Sequence, residues 1–284
     1  MLCLYRVFLF ELKLYYFNGI FLRIQPNTYC TIMKNHILLI LIFSVSLSSC
    51  NNPDERDHSL TPEEYLELGM PDHDRVWSME DYSNAFYVLN TLKYNKPLTL
   101  PARESEKSGI LFSRMVSMDN LAFLQDETLP LHGKADMIKW FVNTLMELKV
   151  AYTIIGTERQ YYARELVDID IFRLSVAHQM LELGQLINES EDPSDMVMQA
   201  DYPAIQKMYL NLLSELFGLQ QYTSLYPEET LELRADSLSS SVRRNMGWFD
   251  ADASEQIKQE MRIVMEGTNS RRIKNEYREL TLAF

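Results

Sequence analysis

From about residue 60 onward, apolar positions recur at steps of three and four, and almost no stretch alternates as a half-buried strand would. Thr61-Pro62-Glu63-Glu64 sets a capping residue before a proline at the first helical position, with acids in the first turn. Gly69 and Pro71 stop that short helix. Ser78-Met79-Glu80-Asp81 caps a second, which carries Tyr82, Phe86 and Leu89 towards Pro97. A third is predicted from Ser105 to Ser117 through Ile110, Leu111, Met115 and Val116; Met118 to Gln125 either continues it or forms a separate turn.

The centre of the pattern lies in the next two segments. From Lys134 to about Ile155 apolar residues fall on nearly every side (Met137, Ile138, Trp140, Phe141, Val142, Leu145, Met146, Leu148, Val150), which predicts a helix buried all round and ended by Gly156. Glu158 to Ile187 reads as one helix of about thirty residues, facing inward through Tyr161, Leu166, Ile169, Phe172, Val176, Met180 and Leu183. Residues 188–200 form an acidic loop, the best candidate for a break between subdomains. Asp201-Tyr202-Pro203 starts a helix with Ile205, Met208, Tyr209, Leu212, Leu213, Leu216 and Phe217. Tyr226-Pro227-Glu228-Glu229 opens another that ends near Gly247. Asp252 or Ser254 caps one running to Met265, and Asn269 or Ser270 caps the last. The expectation is an all-α domain over residues 61–284, an antiparallel bundle or short array of about eight helices. No repeat of fixed period occurs, so the pattern gives no support to a solenoid.

Composition agrees with that picture. The 284 residues include only 9 Gly, few for a sheet protein with many turns. The cysteines are Cys3, Cys30 and Cys50, so residues 51–284 hold no disulfide, thiolate nucleophile or cysteine zinc site. The first fifty residues hold four of the 27 basic and one of the 40 acidic side chains, which leaves 23 against 39, or −16, for the remainder. A surface that acidic repels phosphate backbones, so nucleic acid is not expected as a partner.

Residues 34–50 run Lys-Asn-His, then Ile37 to Leu47 without a charge, then Ser48-Ser49-Cys50. A short basic start, an apolar stretch of about ten residues and small residues before a cut make a secretion signal, too short to span a bilayer comfortably. Leu47-Ser48-Ser49-Cys50 resembles the lipobox of bacterial lipoproteins. That resemblance covers residues 33–50 alone and implies cleavage between Ser49 and Cys50, with diacylglycerol on the Cys50 thiol and further acyl chains such as palmitate. It also implies Asn51, in place of Asp, as a mark of transport to the outer membrane. Asp54-Glu55-Asp57 resembles the acidic tether of surface lipoproteins of Bacteroidetes; a solvated linker over residues 50–60 is the alternative. Translation is expected to start at Met33, which makes residues 1–32 a non-native upstream extension; an extra membrane-associated leader is the alternative.

Few residues suggest chemistry. Glu165, Asp168, Asp170, His178 and Glu182 lie on the long predicted helix, and His178 and Glu182 share a face at i,i+4. They are weak metal-ligand candidates, and a solvated charged stripe is the expected reading of the group. Facing helices carry no Glu-x-x-His pairs, no Gly-x-Ser-x-Gly, His-Glu-x-x-His or phosphate-loop pattern is present, and no cofactor is expected. Most aromatic residues (Trp77, Trp140, Tyr202, Tyr209, Tyr222 and Tyr226 among them) sit at core spacings, with the adjacent rings of Tyr161-Tyr162 and Trp248-Phe249 as exceptions, although a surface lipoprotein could stack such rings on sugars. The expected function is an outer-membrane-anchored binding or interaction domain, its partners the membrane through the lipid and an envelope protein or glycan. A structural or assembly lipoprotein is the alternative, and a carboxylate-based hydrolase or lyase ranks behind both.

Overall fold

A computed structural model of the chain describes residues 57–153, 161–192, 195, 199 and 202–284. Ser49 and Cys50, the expected cleavage and lipidation residues, and Gly156, the expected helix stop, lie outside the described residues. The described residues are helical and contain no strand. Nine α-helices follow one another: α1 (Pro62–Glu67), α2 (Met79–Asn95), α3 (Gly109–Met115), α4 (Leu131–Tyr152), α5 (Ala163–Glu189), α6 (Tyr202–Leu219), α7 (Glu228–Asn245), α8 (Ala251–Gly267) and α9 (Arg271–Ala283). None of them is long and apolar enough to cross a membrane.

The expected start signals work as physical caps. Thr61 with Glu64, and Ser78 with Asp81, form reciprocal capping boxes that satisfy backbone donors at the starts of α1 and α2. Asp81 is also gripped by both terminal nitrogens of Arg75, at 2.6 and 2.5 Å. Gly69, with φ of +94°, turns the chain out of α1. The last helix is capped by Ser270. One cap falls elsewhere: Asp250, not Asp252 or Ser254, accepts from the Ala253 N–H and starts α8. Met118–Gln125 is a separate 3₁₀ segment.

From α4 onward, neighbours in sequence run antiparallel and every second helix runs parallel. Arg173 of α5 meets Met146 near the end of α4, while Ala135 and Ile138 near its start share a small gap with Leu183 and Ile187. Arg173 also meets Glu215 of α6, and Gly184 lies against Tyr202 and Ile205 at the other end of that helix. In contrast, α7 follows α5: Arg234 meets Asp170, and eleven residues later Asn245 meets His178, eight residues on. By the same logic α9 follows α7, through Ser270–Glu232 and Arg243–Glu276. The result is two layers, α4, α6 and α8 over α5, α7 and α9.

Two expectations change. α4 is buried on one face only, through Ala135, Ile138, Phe141, Leu145, Leu148 and Ala151, whereas Met146 and Val150 are exposed and Val142 is half-buried. The helix buried all round is α5, and its charges are not a solvated stripe: Glu165, Asp168, Asp170 and His178 are buried, and of that group only Glu182 is exposed. Tyr161, expected inward, is exposed, while its neighbour Tyr162 is buried. Buried charge is tolerable only when paired, and the partners come from α5 itself, as Arg164 and Arg173, and from elsewhere in the fold, as Arg103, Lys149 and Arg234.

Candidate functional site

Asp170, with no exposed surface, is the hub of that pairing. Its carboxylate lies 2.9 Å from Lys149 Nζ, 3.2 Å from Arg173 Nη1 and 3.2 Å from Arg234 Nη2, uniting α4, α5 and α7. Glu215 of α6 closes the network, 2.7 Å from Lys149 and 3.1 Å from each terminal nitrogen of Arg173. Burial alone would raise the Glu215 carboxyl, but hydrogen bonds from Arg173 and Lys149, with their charges, push it down to about 2. Three cations face two carboxylates. Arg234, also fully buried, leaves Nε and Nη1 unbonded and lays its guanidinium 4.5 Å from the Tyr226 ring centre.

Above this network the outer layer opens. Val142 and Met146 on α4, Met208 and Leu212 on α6, and Ala177 on α5 line a hollow of about 240 Å³ whose polar end is the Arg173–Glu215 pair. An adjoining hollow of about 300 Å³ shares Val142, Asn143 and Met208 and extends to Lys139, Met180 and Ile205. Together they form an apolar groove floored by α5 between two parallel helices. Val142 and Met146, which lie off the buried face of α4, are its wall, and three methionines give it an adaptable lining.

His178 and Glu182 are brought together, 3.1 Å apart between Nε2 and Oε1. The other ring nitrogen faces Asn245 Oδ1 at 2.9 Å, and the Asn245 amide donates to the Tyr209 hydroxyl, which touches Ser241. With its amide committed to Tyr209, Asn245 presents oxygen to the ring, so Nδ1 is the donor. The ring stacks against Trp248 at one end of a third hollow, about 230 Å³, between α5 and α7, lined also by Ser237, Ser240 and Arg244. Both nitrogens being taken, His178 is held as a buried link between helices and is not aimed at a serine. Among the described residues, the one group of three close metal-type ligands is Asp72-His73-Asp74, on an exposed turn. Glu165 is a buried carboxyl pushed above its usual range; burial raises it, the Arg103 N–H partly opposes this, and it lines none of the three hollows.

Two features escaped the sequence pattern. The groove is one. The other is a pair of solvent-facing tyrosines on α2, Tyr87 and Tyr94, 76% and 81% exposed. Their seven-residue spacing on the side opposite Tyr82, Phe86 and Leu89 was the available signal. No protein-family model matches this chain, and neither a curated protein nor a solved structure matches it.

Proposed function

We propose that the chain is a lipoprotein of the outer membrane, anchored through acylated Cys50, whose helical domain is a binding module for an amphipathic helix of another envelope protein. The observation that carries the reading is the groove between α4 and α6. It is walled by Val142, Met146, Met208 and Leu212 and floored by Ala177 and Met180. A helix laid there would meet α4 and α6 from above as α5 meets them from below, and an exposed apolar furrow of that kind is costly to leave open. The anchor rests on the Leu47-Ser48-Ser49-Cys50 lipobox.

Two measurements test this. The mass of the native protein's N-terminus should show residues 1–49 removed and Cys50 acylated, and Cys50→Ala should move the protein out of the membrane fraction. A photo-crosslinking residue at position 208 should give a discrete protein adduct in intact cells, absent with the same group at Glu229 and lost on Val142→Asp. Equal adducts at both positions, or none at 208, would sink the groove assignment and leave the anchor standing.

A further inference from the structure

The outer face of α2 differs from the rest of this acidic surface. From Tyr82 to Leu92 the helix carries no charged residue, although residues 51–284 hold 62 of them. Its inner face is core: Tyr82, Ala85, Phe86, Val88, Leu89 and Leu92 are buried. Its outer face presents Asn84, Tyr87, Thr91 and Tyr94 at steps of three, four and three, a single stripe along the helix. Thr91 is tied down by its bond to the Tyr87 carbonyl at 2.8 Å, and Asn95 by a bond to Thr91 O. Tyr87 and Tyr94 are open to solvent and, with Leu282, are the most exposed large apolar side chains described.

Seven residues of α-helix advance about 10 Å and turn back to within about 20° of the same direction. Two exposed rings are thus attached on one side of the helix about 10 Å apart, which matches the distance between sugars n and n+2 of an extended polysaccharide with two-fold screw symmetry. In such a chain every second sugar turns the same face to one side, so each ring meets an equivalent C–H face. Asn84 and Asn90 supply amides for the hydroxyls between the stacking points. An acidic domain repels uronic-acid polymers, whereas this charge-free face imposes no electrostatic penalty on a neutral one. We infer that the Tyr87–Tyr94 face of α2 is a binding site for a neutral, extended β-1,4-linked glycan. It lies on a helix that does not line the α4–α6 groove, so it stands or falls independently of that assignment.

The test is affinity electrophoresis of the purified full chain in gels containing hydroxyethyl cellulose or glucomannan, with the coiled glucans laminarin and amylose and the acidic polygalacturonate as comparisons. Retardation is expected with the first two alone. Tyr87→Ala or Tyr94→Ala should each weaken it about tenfold, and Tyr→Phe at either position should leave it near wild type, since the ring and not the hydroxyl makes the contact. Both residues are surface-exposed, so the variants keep their thermal midpoint. The double substitution Thr91→Tyr with Tyr94→Ala keeps two rings but halves their spacing, and should bind no better than Tyr94→Ala alone. Absence of retardation by either β-1,4 polymer, equal retardation by the coiled glucans, or full binding by the respaced variant overturns the inference. A change of oligomeric state on Tyr87→Ala does so too, because the face would then be an interface between copies.

Discussion

At the scale of single residues, the Asp170 network makes the sharpest demands. Asp170 neutralises part of the charge of Lys149, Arg173 and Arg234, and its removal leaves three cations facing Glu215 alone. Asp170→Asn should therefore cost about 3–5 kcal/mol in urea unfolding. Arg234→Met is predicted to be far milder, within about 1 kcal/mol, because it removes two orphaned donors and leaves two cations against two carboxylates. If the two substitutions cost the same, the network is not organised around Asp170. Two carboxyls should also move the pH profile in opposite directions. Glu215 is held at about 2 in the fold, against an ordinary value of 4.5, so its stabilisation is present above about 4.5 and is lost as pH falls towards 2. Glu215→Gln should lower the urea midpoint at pH 7 and converge on wild type in that acid window. Glu165 is raised by burial, so its ionisation opposes folding as pH climbs above 4.5. Glu165→Gln keeps an acceptor for the Arg103 N–H and should raise the midpoint at pH 7, with no gain below pH 4. Of this pairing only Asp170–Arg173, three residues apart on one helix, was readable from α5 alone. A carboxylate at helical spacing reads as solvated unless its partner is known, and Lys149, Glu215 and Arg234 sit on three other helices.

At the scale of elements, the local signals were legible and the faces were not. Thr61, Ser78 and Ser270 act as caps because capping is decided within four residues, which the sequence contains. α4 misled for the opposite reason: apolar residues on every side do not distinguish a helix enclosed by its own protein from one with a second face left for a partner. The helical hairpins also hid their likeness, since α4 and α5 have 22 and 27 residues while α8 and α9 have 17 and 13, so their stacking leaves no fixed period. Where α6 begins against α5, one residue decides the distance. A Cβ on Gly184 would lie 3.0 Å from Tyr202 Cδ2 and 3.2 Å from Ile205 Cδ1, so α6 approaches α5 there because no side chain intervenes. Gly184→Val should cost about 2 kcal/mol through overpacking, measured as a lower urea midpoint with unchanged slope. A neutral result would mean that the start of α6 can lift away freely.

At the scale of the molecule, residues 57–284 form one compact unit, and one continuous apolar core runs from Tyr65 on α1 to Leu280 on α9. A layered helical array can nonetheless unfold from one end, because each helix touches only its near neighbours. Here the hub opposes that: Asp170, Lys149, Arg173, Glu215 and Arg234 tie α4, α5, α6 and α7 together across the 188–200 segment. Residues around that segment are also bound back, Ser190 to Asp195 at 2.7 Å and Gln199 to the Ile187 carbonyl at 3.1 Å. The tryptophans report on both ends, with Trp77 and Trp140 around Tyr82 of α2 and Trp248 after α7 stacked on His178. Fluorescence of a Trp248→Phe protein follows the first end, and that of a Trp77→Phe/Trp140→Phe protein follows the second. In each protein the fluorescence midpoint should coincide with that of far-ultraviolet circular dichroism, the mark of one cooperative transition. Asp170→Asn, which unbalances the hub without touching either end, should separate them, with the α8–α9 end melting first because α8 and α9 are shorter than α4 and α5 and bury few residues each. Separate midpoints without that substitution would place the boundary of cooperativity at 188–200 and make the hub an ornament of four helices rather than the joint between them.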